Sequence, residues 1–136
     1  MEWRVKTFKG SWTQAKLKNI LYELKNYITE QEITMIAIKK PDALRSSTGL
    51  QQIVSEITIL AKRNNIKVIQ YSLQELKLYF SKEKKFTKAQ MIQQVALAHA
   101  ELHHEYNKEQ RNRNRYYVKM FEAIIAAQIA QSEYLL

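Results

Sequence analysis

Cysteine is absent from this 136-residue chain, and turn-forming residues are scarce, with two glycines and one proline. The absence of cysteine excludes a disulfide framework and a thiolate metal site, and it agrees with a reducing compartment. The scarcity of glycine and proline disfavours long irregular loops and all-β meanders. The sequence therefore favours long helices joined by short connections.

Long apolar runs are absent as well. No run of about 18 apolar residues exists, and the first residues, 1–5, contain no apolar stretch of signal-peptide length. We therefore expect a soluble, cytoplasmic protein without a membrane partner. The length and the hydrophobic fraction of 46% fit a single globular domain that spans residues 1–136.

Basic residues outnumber acidic residues, 22 against 13, and give the chain a formal charge of +9. In a chain this short, that charge favours an anionic partner, most simply nucleic acid, and DNA rather than RNA. The alternative is that the charge only keeps the protein in solution.

Much of the excess charge lies between residues 81 and 119, where nine Lys or Arg stand against four Glu. Arginines can grip phosphates, and the tyrosines that follow them, Tyr116 and Tyr117, can stack on bases. The alternative is a solvated basic loop before a buried helix. The predicted nucleic-acid-binding residues are Lys77, Lys82, Lys84, Lys85, Lys88, Arg111, Arg113 and Arg115.

Strand and helix patterns alternate along the first eighty residues. Runs rich in β-branched and aromatic residues predict strands at residues 3–8, 33–38 and 66–71. The second run is apolar throughout, which is typical of a parallel strand buried on both faces. Apolar stripes at helical spacing lie between the strands, and Ser72 can cap a third helix, 73–80. This order predicts an α/β fold with a mostly parallel sheet of at least three strands, flanked by helices.

Two long helices are predicted in the second half of the chain. Thr87 can cap a helix from Lys88 to about residue 107. Residues 107–115 contain no apolar residue and predict a solvated loop or a frayed helix end. The last helix, from Tyr116 to about residue 136, is apolar almost all round, so the sheet, a neighbouring helix or a second subunit must cover it.

Four segments carry a resemblance to a known family, namely residues 33–41, 71–77, 88–91 and 121–127. In this order and at this spacing, the chain resembles the RuvC-type Holliday-junction resolvases of the ribonuclease H-like superfamily. The match covers roughly residues 5 to 130 and is best between Tyr71 and Met91. It implies a reduced ribonuclease H-like fold.

The resemblance also implies a lost metal site. Nucleases of this superfamily hold two Mg²⁺ ions with carboxylates, because Mg²⁺ requires hard oxygen ligands. The acid at the end of the family's fourth strand corresponds here to Lys39, and one acid of its last helix corresponds to Lys119. The other acid is retained as Glu122. We expect these three residues to meet at the carboxyl end of the central strand, with no metal and no cofactor.

His99 and His103 have the i, i+4 spacing that can chelate a transition metal on a helix. No third ligand is evident, so a structural, half-buried His99 is the better interpretation.

Three functions remain open. The first is a non-catalytic resolvase relative that binds the nucleic-acid backbone through its basic loops. The second is a structural or interaction protein that forms a homo-oligomer, most simply a homodimer, without a nucleic-acid role. The third is a nuclease with rearranged ligands from Glu2, Asp42, Glu122 or a partner chain, although Asp42 is the only aspartate. The degenerate acids favour a protein that is not an enzyme.

We predict no specific Mg²⁺ or Mn²⁺ binding at Glu122, because two nearby ammonium groups oppose a dication and too few oxygens remain to replace its water. Calorimetric titration with Mn²⁺ measures this. Tight, stoichiometric heat that disappears in Glu122→Ala would contradict the prediction and favour the nuclease.

Overall fold

The computed structural model describes residues 8, 10–42, 47–82, 85–112 and 115–134. At residues 108–112 and 115–117 it describes the backbone alone. Six α-helices, two strands and one 3₁₀ turn occur in this part of the chain. In chain order they are α1 (Gln14–Glu30), β1 (Met35–Lys39), α2 (Thr48–Arg63), β2 (Lys67–Tyr71), α3 (Leu73–Phe80), α4 (Lys88–Ala98), the turn Ala100–Leu102, α5 (His103–Asn112) and α6 (Arg115–Tyr134).

The sheet consists of β1 and β2, which pair in parallel from Met35 opposite Lys67 to Lys39 opposite Tyr71. The α/β class and the parallel pairing are therefore confirmed. The described residues contain two strands and not the predicted three. Most of the first predicted strand, residues 3–7, lies outside them, and Phe8 is in neither a helix nor a strand. The finer ribonuclease H-like topology stays a prediction.

Side-chain alternation along the strands divides the core into two parts. Met35, Ala37 and Ile69 pack on the larger part, which α3 to α6 build. Ile36 and Val68 pack on the smaller part, against α1 and α2. The sheet thus lies between two helical layers, and Lys39 follows the alternation of Met35 and Ala37 toward α6. Complete burial of β1 was predicted and is wrong: all five residues are half-buried, because a two-stranded sheet covers little of each strand.

Helix caps explain where the helices begin. The side chains of Thr13, Ser47, Ser72 and Thr87 each accept a hydrogen bond from a backbone N–H three residues later. At α3 and α4, the third helical residue completes a reciprocal capping box. The capping roles predicted for Ser72 and Thr87 are confirmed.

The predicted helix 88–107 is wrong, because the chain leaves the helical conformation at His99, with φ −129° and ψ 101°. The turn that follows buries Leu102 completely, and α5 then begins at His103. Both α4 and α5 pack against α6. Residues 107–112 belong to the end of α5, so of the two predicted alternatives for this stretch the structure agrees with a helix end and not with a loop.

The last helix, α6, runs close to its predicted bounds, and most of its described apolar residues are covered within the chain. Phe121 and Ile125 are fully buried, and Ile124 and Ile129 are at most 8% exposed. The sheet and helices α3, α4 and α5 all contact α6. Of the three predicted covers, the sheet and the neighbouring helices are therefore confirmed. These buried residues do not need a second subunit to cover them, and homodimerisation stays a prediction. No helix in the described ranges has the length and hydropathy needed to cross a membrane.

Two leucines offer a matched test of this core. Leu76 is fully buried in α3, whereas Leu97 in α4 is 70% exposed. We expect Leu76→Ala to lower the free energy of unfolding by about 2–5 kcal/mol, because it leaves a cavity. Leu97→Ala should change it by less than about 0.5 kcal/mol. Urea unfolding of both variants measures the difference, and equal losses would contradict the packing of α3.

Candidate anion-binding site

One buried carboxylate in the described part of the chain is surrounded by lysines. Glu122 on α6 is 1% exposed. Its Oε1 lies 2.5 Å from Lys88 Nζ and 4.0 Å from Lys119 Nζ, and its Oε2 lies 3.5 Å from Lys39 Nζ. We call these four residues the lysine cluster. With three ammonium groups and one carboxylate, the cluster carries a formal charge of +2.

Each lysine reaches Glu122 from a different element. Lys39 is the last residue of β1, and strand alternation turns its side chain toward α6. Lys88 is the first residue of α4, directly after the Thr87 cap. Lys119 lies three residues before Glu122, about one turn earlier in the same helix. The local signals that position these residues are thus a strand end, a helix cap and a helical repeat.

The predicted convergence of Lys39, Lys119 and Glu122 at the end of β1 is confirmed. What the sequence reasoning missed is the role of Lys88, which makes the shortest ion pair of the three. It was predicted only as a phosphate contact. No local pattern marks its pairing with Glu122, because the two residues are distant in sequence and meet through the packing of α4 on α6.

The ion pairs are what allow Glu122 to stay in the core. Lys88 approaches it closely, yet among the described groups neither oxygen of Glu122 accepts a hydrogen bond of normal geometry. The two observations agree if the contact is an ion pair without a well-directed hydrogen bond. An unpaired buried carboxylate would cost several kcal/mol, so the fold depends on the lysines here.

The ammonium-bearing side chains remain accessible from water although the carboxylate does not. Side-chain exposure is 19% for Lys39, 34% for Lys88 and 67% for Lys119, against 1% for Glu122. The cluster also lies at the carboxyl end of a parallel strand and beside the start of α4. Ligands bind at such sheet ends, and the start of a helix favours negative charge. The arrangement is suited to an anion.

An open cleft of about 520 Å³ lies at the same end of β1, on the α2 side of the sheet. Its walls include Lys40, Pro41, Val54 and Gln70. None of the described residues that line it is aromatic, so these residues offer a bound base nothing to stack on.

The other predicted phosphate contacts are only partly described. Lys82 and Lys85 are exposed in the connection that leads into α4, and Lys77 is half-buried in α3. Lys84 and the side chains of Arg111, Arg113 and Arg115 lie outside the described part of the chain, so their contacts stay predictions.

No group of three or more His, Asp or Glu side chains that could hold a metal ion occurs in the described ranges. Asp42 lies just after β1, and Glu2 falls outside these ranges. The predicted placement of His99 and His103 on one helix is wrong, since His99 follows α4 as its C-cap and His103 begins α5. The His99 ring instead contacts the side-chain amide of Gln128.

A second polar contact joins α6 to the sheet. Tyr71, the last residue of β2, is buried and donates a hydrogen bond from its hydroxyl to Glu133 Oε2 over 3.1 Å. Burial, together with the Glu133 carboxylate, raises the pKa of Tyr71 to about 12. The phenol therefore keeps its proton, and with it the hydrogen bond, throughout the neutral range.

Comparisons with known proteins add no relatives: no family model, no curated protein and no solved structure matches this chain. The resemblance to RuvC-type resolvases stays a prediction from the sequence motifs.

The Tyr71 contact predicts a loss of stability at high pH. In the unfolded chain the phenol titrates near pH 10, whereas in the folded protein its pKa is about 12. The stabilisation is complete below pH 10 and is lost as the pH rises toward 12, because the unfolded state then releases a proton that the folded state retains.

Urea unfolding across this pH range measures the effect. Tyr71→Phe should be less stable at neutral pH and should lose less stability on going to pH 12. Tyr22 is 67% exposed, so Tyr22→Phe serves as the control. Its free energy of unfolding should depend on pH as that of the unmodified protein does. If the free energy of unfolding of Tyr71→Phe changed with pH in the same way as that of the unmodified protein, the buried contact would be refuted.

Proposed function

We propose that this protein is a non-catalytic, resolvase-related domain of the ribonuclease H-like class that binds the phosphate backbone of nucleic acid. The observation that carries the proposal is the lysine cluster, in which three accessible ammonium groups surround one buried carboxylate at the carboxyl end of β1. The overall charge of +9 supports the same partner.

The chemistry of the cluster favours binding over cleavage. Metal-dependent phosphoryl transfer needs several oxygen ligands around each ion. The cluster has one carboxylate, and Lys88 and Lys39 occupy the positions beside its two oxygens. Ammonium groups there attract phosphate oxygens and repel divalent cations.

Further lysines lie close in sequence to Lys88 of the cluster. Lys85 lies three residues before Lys88, and Lys82 lies in the same connection between α3 and α4. Both are exposed. A backbone that meets Lys88 can therefore contact further cations in that connection, which gives affinity without reading the base sequence.

An interaction protein is the second candidate. Within the described residues each strand pairs with only one neighbour, and open strand edges can accept another strand. Leu78, Tyr79 and Tyr134 are also large apolar side chains that are about half exposed. Sedimentation at micromolar concentration tests this candidate, which requires a homodimer.

A charge-matched pair of triple variants tests nucleic-acid binding. The first variant replaces Lys82, Lys85 and Lys119 with Gln and keeps Lys39 and Lys88, the two closest partners of Glu122. The control replaces Lys18, Lys25 and Lys62, which are exposed on the helices of the opposite face, and makes the same change in net charge.

Fluorescence anisotropy on duplex, branched and single-stranded oligonucleotides across a salt series gives the affinities. The first variant should bind all sequences more weakly, and on duplex DNA its log–log salt slope should flatten by about 0.9 for each phosphate that the variant no longer neutralises. The affinity and the salt slope of the control variant should change little. Equal losses of affinity in the two variants, or no binding to any oligonucleotide at low salt, would refute the proposal.

The arginines are tested in the same way. Replacing Arg111, Arg113 and Arg115 with Ala should also weaken binding to all sequences and flatten the salt slope, with folding intact. If this change abolished binding and the lysine variant did not, the contact surface would lie at the arginines and not at the cluster.

A further inference from the structure

The charge of the lysine cluster distinguishes two kinds of phosphate. Its formal charge of +2 exceeds what one phosphodiester can neutralise, because an internal backbone phosphate carries a single negative charge. A terminal phosphate monoester carries about −1.5 to −2 at neutral pH and presents three strong acceptor oxygens. The monoester thus matches the cluster in charge.

The geometry of the cluster also suits a single anionic group, such as the end of a strand whose backbone the surrounding lysines contact. All three ammonium groups lie within 4.0 Å of one carboxylate. They extend from the end of β1, the start of α4 and the side of α6, so they approach one position from three directions. Each ammonium has three donors, and a contact with Glu122 leaves other donors for a ligand. Each of the three ammonium groups can therefore donate a hydrogen bond to one of the three terminal oxygens of a phosphate monoester.

Glu122 is what brings the three cations together. Without a central anion, ammonium groups this close repel one another. Because Glu122 is buried and the lysine side chains are partly exposed, the carboxylate holds them from the protein side and leaves the solvent side open. The positions of the ammonium groups are therefore set before any ligand arrives, which lowers the cost of binding.

We infer that the lysine cluster binds the terminal phosphate monoester of a nucleic-acid strand in preference to the internal phosphodiesters. This inference rests on the proposed backbone binding and adds that the cluster recognises strand ends. The exposed lysines around the cluster then hold the adjoining backbone without regard to sequence.

Three single-stranded oligonucleotides of one sequence, each with an internal fluorophore, test the inference. They end in a 5′-phosphate, in a 5′-methyl phosphate or in a 5′-hydroxyl. The methyl ester keeps the size and position of the terminal group and removes one charge. We expect the 5′-phosphate strand to bind about tenfold more tightly than the other two, which corresponds to one additional charge-assisted contact.

Variants connect that preference to the cluster. Lys88→Gln and Lys119→Gln should each reduce the ratio of the affinities toward one, whereas Lys18→Gln should leave it unchanged. Lys119 is the more exposed and the more distant from Glu122, so its replacement tests the cluster even if Lys88→Gln fails to fold. Retention of the full ratio in a folded Lys119→Gln protein would overturn the assignment.

Two further measurements test whether the cluster recognises the phosphate monoester itself, free or at either end of a strand. Inorganic phosphate should weaken binding of the 5′-phosphate strand to the level of the 5′-hydroxyl strand and should affect the latter little. A 3′-phosphate strand should share the preference, since the cluster recognises the charge of the monoester. Equal affinity for all strands would overturn the preference and leave backbone binding intact, whereas absence of binding to every strand would overturn both proposals.

Discussion

The ion pairs of Glu122 are the constraint on which the rest of the structure depends. Among the residues that the structure describes, Glu122 is the one charged side chain in the core. A carboxylate in that position is tolerated only where cations accompany it. The end of β1, the start of α4 and the first turns of α6 must therefore come together, and these three elements determine where the two halves of the chain meet.

The arrangement differs from that of an ordinary surface salt bridge. Exposed pairs contribute little, because water screens the charges and the side chains lose freedom. Here the anion is buried and the cations reach it from a partly exposed side. The protein thus holds cations close to one another that would otherwise separate, and the potential at the carboxyl end of β1 is positive.

The sequence predicted the elements well and their bends and burial poorly. Ser72 and Thr87 form caps through contacts within four residues, so a local pattern is enough to find them. The break at His99 goes with the burial of Leu102 in the core that α4 and α6 share, and with the packing of both α4 and α5 on α6. No local pattern contains these contacts. The half-burial of β1 depends on how many strands surround it, which is again a tertiary property.

Part of the candidate site could be predicted from the sequence, and part of it could not. Lys39, Lys119 and Glu122 were placed together by the family resemblance, and they do meet. Lys88 could be recognised as a basic residue at a helix start, but its pairing with Glu122 arises from the packing of one helix on another. Side chains that join distant elements are the part of a site that a single sequence does not reveal.

Two polar contacts between α6 and the sheet also limit how the length of that helix can change. Glu122 meets Lys39 at the end of β1, and Glu133 meets Tyr71 at the end of β2. Eleven residues separate the two glutamates, which is about three helical turns, so both face the sheet. Inserting one residue between them would rotate one contact away by about 100°. The number of residues between the two glutamates is therefore a constraint on α6 in its own right, separate from the burial of the side chains between them.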